Sequence, residues 1–185
     1  MTSLANILST ALTIALLITV PARADETYTF EEITAKAEGV LGDTTEGLAK
    51  AIEKVFANLG RPNAYIAGEE VSGAIGIGLR YGKGELERKT ADPLKVFWQG
   101  PSVGWDLGGN ASKVFTLIYQ LENAEHLYQR FPAVEGSFYY VAGVTISYQQ
   151  SGDLILAPIR TGAGIRTGAN IGYLHYGPKH SWLPF

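Results

Sequence analysis

Four charged residues stand among glycines in segments that alternate with a period of two, and they are the best candidates for chemistry. Arg80, Asp106, Arg160 and Arg166 all occupy the even-numbered positions of these segments, which otherwise carry mostly glycine. Successive side chains of a strand point to opposite faces, so the alternation predicts that the four share a glycine-lined face. A guanidinium can hold a carboxylate or a phosphate through two hydrogen bonds. We interpret the four residues as a candidate binding surface for an anionic headgroup, a glycan phosphate or a protein carboxylate.

A second interpretation of these arginines stays open. They would then face solvent, or pair with Asp106 or another acid, and bind no ligand. Arg160 and Arg166 would lie about 20 Å apart along a straight strand, so the two do not hold one small anion together.

The other residue types that could catalyse a reaction do not form a recognisable site. The histidines lack further metal ligands at a usable spacing, and we expect aromatic or capping roles for His126, His175 and His180. Glu69 and Glu70 would project in two directions from an extended segment, and we expect a solvated strand end or turn there. The glycine strings lack the spacing of a dinucleotide-binding loop. The sequence therefore predicts no catalytic residue, no cofactor and no metal ion.

Glycine-patterned strands recur in three segments that are far apart in the chain. GAIGIGLRYG, SVGWDLGG and the near-repeat IRTGAGIRTGAN each carry bulky residues on one face and glycine on the other. Glycine weakens a strand, so its repeated use indicates sharp bending or the close approach of another group. We predict a mainly β fold with one or two helices. It is a small, strongly curved antiparallel β-barrel or barrel-like sheet, with the bulky faces filling its interior and an N-terminal helix packed against it.

The helices are predicted from apolar spacing and end signals. TTEGLAKAIEKVFANLGRP carries Leu48, Ile52 and Val55 at helical spacing, which predicts a helix over residues 44–59 that ends at Gly60. LENAEHLYQRF predicts a second, shorter helix over residues 121–131.

Turn residues predict where two strands end. FWQGP, residues 97–101, is typical of a strand that runs into a tight turn. GSFYYVAGVTISYQ and LILAPIR predict two strands of one hairpin around the turn at residues 149–153. In the first of these strands, alternate residues from Phe138 to Tyr148 would share one face.

The start of the chain predicts export. An apolar run over residues 4–20 is followed by Pro21 and then by Ala22-Arg23-Ala24, which places small residues where signal peptidase requires them. Cleavage after Ala24 would leave Asp25 as the first residue, while the alternative is a retained membrane anchor. We expect a signal peptide over residues 1–24, a loose segment over residues 25–43 with a short helix from Phe30 to Ala37, and one domain over residues 44–185. The mature chain has no other apolar run long enough for a transmembrane helix.

Composition narrows the class of protein further. The 185 residues carry a formal net charge of −3 and no basic tract, so nucleic acid is excluded as an expected partner. The absence of cysteine excludes thiol catalysis, cysteine-bound metals and a lipoprotein anchor. Together with the export signal, this composition favours the bacterial periplasm.

Several long segments resemble an alphaproteobacterial exported family called envelope integrity protein A. The resemblance covers residues 28–185, and it rests on GEE, SGA and GLRYGKGEL, then KVFWQGPSVGWDLGG, YQRFPAVEGSFYYVAG and ILAPIRTGAGIRTGANIGYL, in that order. It implies a periplasmic protein with a small β-barrel that supports the cell envelope, with no enzymatic activity established and no catalytic residues to transfer. A weaker similarity to SYLF-type lipid-binding domains, over residues 96–176, favours a lipid or headgroup ligand.

These observations lead to three functional hypotheses. The first is a non-enzymatic periplasmic protein that supports the envelope by binding an envelope lipid, glycan or protein. The second is a protein interaction scaffold, for which self-association into a homo-oligomer is left open. The third is a hydrolase that acts on cell-wall or lipid substrates, which would need two convergent acids or a histidine beside a nucleophile.

Overall fold

The computed structural model describes residues 26–42, 46–141, 143–161 and 172–181, and for residues 73–77 and 102–111 it describes the backbone alone. Within these residues, two helices precede a sheet of eight strands. The helices are α1 (Phe30–Leu41) and α2 (Glu46–Leu59). The strands are β1 (Ala64–Arg88), β2 (Ala91–Tyr119), β3 (Arg130–Pro132), β4 (Tyr139–Val141), β5 (Val144–Ile146), β6 (Gln149–Ser151), β7 (Leu154–Thr161) and β8 (Tyr173–Gly177).

A long antiparallel hairpin of β1 and β2 forms the frame of the sheet. Its pairing runs from Ala64 opposite Ile118 to Arg88 opposite Ala91, with an irregularity between Ser72 and Ala74. The other strands add to β2 and beyond it, in the order β3-β8-β2-β7-β5-β4, and β6 pairs with β7. Every pairing is antiparallel. The predicted fold, mainly β with a curved barrel-like sheet and a packed N-terminal helix, is confirmed.

Strand β1 curls so strongly that its two halves touch. A Cβ added to Gly84 would lie 2.5 Å from the carbonyl oxygen of Ala67 and 3.0 Å from the Cα of Gly68. Gly68 likewise has the carbonyl oxygen of Lys83 in its Cβ position. Because no side chain fits between these backbones, glycine at both positions is what allows the strand to cross itself.

The sheet separates two apolar cores. The interior core is enclosed by the barrel and centres on Trp98, Phe131 and Tyr176. The outer core fills the space between the sheet and the two helices. The predicted stripe of α2 lies in this outer core, where Leu48, Ile52 and Val55 are buried. Among the described residues, no helix has the length and apolar composition needed to cross a membrane.

The first helix is longer than the predicted one and fastens the far end of the hairpin. Helix α1 extends to Leu41, and it begins with a capping box in which Thr29 and Glu32 satisfy each other's backbone N–H groups. Glu32 also pairs at 3.0 Å with Lys89, which lies at the turn between β1 and β2. The Lys89 ammonium lies 5.2 Å from the ring centroid of Tyr28. These contacts tie the start of the folded chain to the hairpin turn.

The prediction of a second helix over residues 121–131 is wrong. The segment forms only a short 3-10 turn over Ala124–Leu127 and then enters the sheet as β3. Leu121, Ala124 and Leu127 recur every third residue and are buried in the interior core. A spacing of three fits a 3-10 turn as well as an α-helix, so the apolar pattern does not separate the two.

One predicted turn is also misplaced. Strand β2 continues through Pro101, which pairs with Leu79, so FWQGP does not lead into a turn. Pro101 lies beyond the last β2 residue that pairs with β8, which makes the missing N–H tolerable.

The predicted long strand before the 149–153 turn is in fact two short ones. It is broken at Gly143, which has a φ of 92° and joins β4 to β5. Tyr140 is therefore 58% exposed, whereas Val144 and Ile146 are buried. The predicted single face from Phe138 to Tyr148 is wrong for this reason.

At Leu79 the bulky face of β1 does not fill the interior, contrary to the prediction. Leu79 is 38% exposed, whereas Arg80 and Gly82 face inward. The indole of Trp98, which is the cross-strand partner of Gly82, occupies the place where a Gly82 side chain would be. The bare positions of β1 therefore make room for one large interior ring. The repeat at residues 162–171 lies outside the described residues.

We expect Gly84→Ala to destabilise the fold by about 1–3 kcal/mol, because the new Cβ meets backbone that cannot move aside. Urea unfolding monitored by circular dichroism measures the change. The matched control is Gly39→Ala in α1, where an added Cβ meets nothing within 4 Å. That variant should gain about 0.5–1 kcal/mol. Equal stability of the two variants would contradict the self-crossing of β1.

Candidate functional site

Two of the four predicted site residues meet on a buried carboxylate inside the barrel. Arg160 Nε donates to Glu70 Oε1 at 3.0 Å, and its Nη2 donates to Oε2 at 3.5 Å. Arg80 Nη1 lies 3.3 Å from Glu70 Oε1. Glu70 is only 3% exposed. We call Glu70, Arg80, Arg160 and Trp98 the Glu70 cluster.

Trp98 completes the shell of donors around the carboxylate. Its indole Nε1 donates to Glu70 Oε2 at 2.9 Å. Arg160 is held from its other side, because Nη1 donates to Ser147 Oγ at 3.1 Å. Both oxygens of Glu70 therefore accept hydrogen bonds, and the guanidinium of Arg160 is fixed between two acceptors.

Strand alternation explains why these side chains converge. Ala64, Ile66, Gly68 and Glu70 occupy alternate positions of β1, and the first two lie in the interior core. Arg160 on β7 stands directly opposite Val114 of β2, another residue of the interior core. The curl of β1 then brings Arg80 back over Glu70. Three segments distant in sequence thus supply one cluster.

The cluster holds Glu70 ionised. Burial alone would raise the pKa of Glu70, but the charges of Arg160 and Arg80 and the hydrogen bonds from Trp98 and Arg160 outweigh it, so the pKa lies below its ordinary value. Burial lowers the pKa of Arg80, and Glu70 opposes that shift. With both guanidiniums protonated, one carboxylate against two cations leaves a surplus of one positive charge.

An aromatic and amide wall closes the interior beside the cluster. Tyr176 packs against Trp98, with ring centroids 5.9 Å apart, and its hydroxyl donates to Gln149 Oε1 at 3.3 Å. Burial raises the pKa of Tyr176 above its usual range, so the hydroxyl stays protonated. Two buried donors nearby have no acceptor among the described residues, Arg80 Nε and Gln149 Nε2.

The remaining predicted site residues are not brought into this cluster. The backbone register places Asp106 opposite Ala74, on the face of β1 that carries Arg80 but six residues away, and its side chain lies outside the described residues. Arg166 also lies outside them, as do the predicted cleavage residues Ala22, Ala24 and Asp25. The acid that the structure shows beside Arg80 and Arg160 is Glu70.

Sequence reasoning missed Glu70. Glu69 and Glu70 do project in two directions, and Glu69 is solvated, with its side chain 62% exposed and paired with Lys83 at 2.9 Å. The prediction of a solvated position is wrong for Glu70 alone. The signal that could have found it is the inward alternation of Ala64 and Ile66, which Glu70 continues.

Of the three histidines, His180 takes the aromatic role expected of it, whereas His126 and His175 contact polar side chains. His180 stacks on Tyr81, with ring centroids 6.0 Å apart, and contacts Phe97 edge-on. His126 lies on the exposed turn, 3.8 Å from Glu122. His175 lies 3.5 Å from the side-chain amide of Gln99. In the part of the chain that the structure describes, no group of three acidic or histidine side chains could hold a metal ion.

A cleft of about 570 Å³ opens on the outer side of the sheet where β1 crosses itself. Three lysines and two glutamates line it, Lys83, Lys95, Lys113, Glu69 and Glu85. These charges alternate across neighbouring strands, with Glu69 opposite Lys113 and Glu85 opposite Lys95. Cross-strand pairs of opposite charge stabilise a sheet, which accounts for the arrangement without a ligand.

Comparison with known proteins gives the family. The sequence profile of envelope integrity protein A matches residues 26–185, which is most of the chain. The chain belongs to the envelope integrity protein A family. Its name suggests a role in envelope integrity.

A solved structure agrees with the family and the fold. It is a crystal structure of a beta-barrel-like, uncharacterized protein from Brucella abortus, 49% identical in sequence, with a TM-score of 0.79. The match covers 87% of this chain and 100% of that one. No curated protein gives a significant match. The family and this neighbour suggest a non-catalytic protein. Neither of them assigns a role to a residue of the Glu70 cluster.

We expect Glu70→Gln to destabilise this member of the envelope integrity protein A family by about 3–5 kcal/mol, since it leaves two guanidiniums buried without their counter-charge. Glu69→Gln, at the exposed neighbour, is the matched control and should change stability by less than about 0.5 kcal/mol. Urea unfolding at pH 7 measures both. Similar small effects of the two variants would contradict a structural charge at Glu70.

The same comparison has a defined pH dependence. Because folding lowers the pKa of Glu70 from its ordinary 4.5, the ionised carboxylate stabilises the protein above that pH. This stabilisation is lost as the pH falls through the lowered folded-state pKa. The gap in stability between wild type and Glu70→Gln should therefore narrow below about pH 4.5.

Proposed function

We propose that this protein is exported to the periplasm and supports the cell envelope, without catalysis, by binding an envelope component at the Glu70 cluster. The ligand class stays as broad as a lipid headgroup, a glycan or an envelope protein. Membership of the envelope integrity protein A family supports the envelope role. The leader over residues 1–24, with its apolar run and small residues before Asp25, supports export.

The observation that carries this proposal is the surplus positive charge inside the barrel. Isolated charges are expensive to bury, so proteins normally pair them. Here two arginines share one carboxylate, although their side chains are only 9% and 11% exposed. A negatively charged group that reaches the narrow exposed part of Arg80 or Arg160 would remove this imbalance.

The state of Glu70 supports a non-enzymatic role. A general acid or base near neutral pH needs a pKa close to the working pH, and a free oxygen that can exchange a proton. The pKa of Glu70 is held below its ordinary value, and both oxygens already accept hydrogen bonds. Glu70 is therefore suited to orienting two arginines rather than to proton transfer.

The binding experiment uses the mature chain, residues 25–185. Its affinity is measured for vesicles of phosphatidylglycerol, vesicles of phosphatidylcholine, lipopolysaccharide and peptidoglycan fragments. We expect at least one anionic component to bind, and Arg160→Lys to lower that affinity at least tenfold, because lysine keeps the charge but loses the fork of donors. Lys36→Ala, which removes an exposed charge on α1, is the control and should bind as wild type does.

Two outcomes would overturn the proposal. The first is that no envelope component binds. The second is that Arg160→Lys, shown by circular dichroism to be folded, leaves every detected affinity unchanged. Should Arg160→Lys fail to fold, Arg80→Lys tests the same loss of guanidinium donors from the other strand.

A second candidate function is an interaction scaffold. The segment 134–140 exposes three large side chains close together in the sequence, Val134, Phe138 and Tyr140. Clusters of exposed apolar side chains, unlike single ones, indicate a contact surface. Such side chains are enriched at protein–protein contacts.

For the scaffold, light scattering of the mature chain should show an oligomer that the double variant Phe138→Ser/Tyr140→Ser dissociates. Leu94→Ser is the control and should leave the oligomer intact. Leu94 is an exposed apolar residue near the turn between β1 and β2, outside the segment 134–140. A monomer at every concentration would count against self-association through this segment.

A further inference from the structure

The described charged side chains of the barrel interior are two arginines and one glutamate, which leaves one positive charge without a negative partner. Glu70 is the acid that pairs with Arg80 and Arg160 in the described part of the chain. Tyr176, the other ionisable group that acts on the pKa of Arg80, is held neutral by burial. Among the described side chains, the interior beside Trp98 thus carries one positive charge without a counter-charge.

The hydrogen-bond count agrees with the charge count. Within the part of the chain that the structure describes, Arg80 Nε and Gln149 Nε2 are both buried donors without an acceptor. Buried donors are nearly always satisfied, because an unsatisfied one loses the hydrogen bonds that it makes to water in the unfolded chain. Gln149 is connected to the cluster through the hydroxyl of Tyr176, which donates to its Oε1. Arg80 belongs to the Glu70 cluster, and Gln149 is joined to it through Tyr176, which packs against Trp98.

The two donors differ in how the rest of each side chain is held. Arg80 is anchored by Nη1 on Glu70, which leaves Nε as its unpartnered group. Gln149 is anchored by Oε1 on Tyr176, which leaves the amide nitrogen.

We propose that the interior beside the Glu70 cluster binds one singly charged oxyanion group, a carboxylate or a phosphodiester, which accepts from Arg80 Nε and Gln149 Nε2. This rests on the proposed function, since the oxyanion would be the part of the envelope component that enters the barrel. One negative charge balances the surplus, and an oxyanion has oxygens enough for both donors. Guanidinium nitrogens favour such planar or tetrahedral oxygen groups.

The test follows two side-chain signals of the mature chain by nitrogen-15 NMR, in a zwitterionic buffer without added salt. One is the indole N–H of Trp98, which reports on Glu70, and the other is the side-chain amide of Gln149. Sodium acetate represents a carboxylate, and sodium dimethyl phosphate represents the phosphodiester of a lipid headgroup. We expect both signals to shift and to saturate with a common midpoint.

The two titrations distinguish the sources of the group. Saturation with acetate alone identifies a carboxylate, as in a peptide or an acidic sugar. Saturation with dimethyl phosphate alone identifies a phosphodiester, and saturation with both supports an oxyanion of either source. A linear drift of the two signals with each salt, with no saturation, would overturn the proposal.

Variants separate a specific site from a general salt effect. Gln149→Glu supplies a carboxylate of nearly the same shape where the anion would bind, so we expect the midpoint to rise at least tenfold while the Trp98 signal is retained. Arg80→Met removes both the donor and the surplus charge, and we expect the same loss. Lys36→Met removes an exposed charge and should leave the midpoint unchanged. A wild-type midpoint in Gln149→Glu would overturn the proposal even if Arg80→Met does not fold.

Failure of this inference and failure of the proposed function are distinguishable. Binding of vesicles or peptidoglycan fragments without a saturable response to either small anion would reject the oxyanion site and leave the envelope role standing. A saturable response to a small anion without binding of any envelope component would reject the envelope role and leave the site standing.

Discussion

An ionised carboxylate inside a β-barrel is tolerated only when other groups replace the water it has lost, and Glu70 meets this condition through Arg80, Arg160 and Trp98. Those partners come from β1, β2 and β7, so the cluster joins the long hairpin to a strand that is remote in the sequence. Removing any one partner would take a contact from the carboxylate and leave an empty position beside it. The cluster is thus a structural requirement of the barrel as well as the best candidate for binding.

The curl of β1 brings Glu70 and Arg80 together, although both belong to the same strand. Glu70 and Arg80 belong to the same strand, and ten residues of straight strand would hold them about 33 Å apart. The contact between Gly68 and Gly84 shows that the strand folds across itself, which brings its two halves together. Glycine in these strands therefore serves electrostatics indirectly. It permits the bend that lets one carboxylate meet an arginine of its own strand.

The sequence predicts much of this fold because the patterns involved are local. The helical spacing of Leu48, Ile52 and Val55 identifies α2, and the alternation of β1 and β7 places Arg80 and Arg160 on glycine-rich faces. The sequence does not reveal which face of a curved sheet is inside. Alternation separates the residues into two faces, but only the direction in which the sheet curls decides which face is the interior one. Glu70 is missed for a related reason. A glutamate is normally exposed, and only the tertiary fold supplies the two arginines that make its burial tolerable.

The contact of Lys89 with Glu32 and Tyr28 bears on how the chain reaches its native state. The contacts of α1 with Lys89 cannot form until the hairpin turn has been synthesised, which lies far along the chain from α1. The pairing of Ala64 with Ile118 in the hairpin also joins residues that are far apart in the sequence. Folds dominated by such distant pairings fold slowly, in milliseconds to seconds. The chain must lose much conformational entropy before the stabilising contacts between distant residues can form. A polypeptide emerging gradually from its amino end would remain open until the hairpin tip appears.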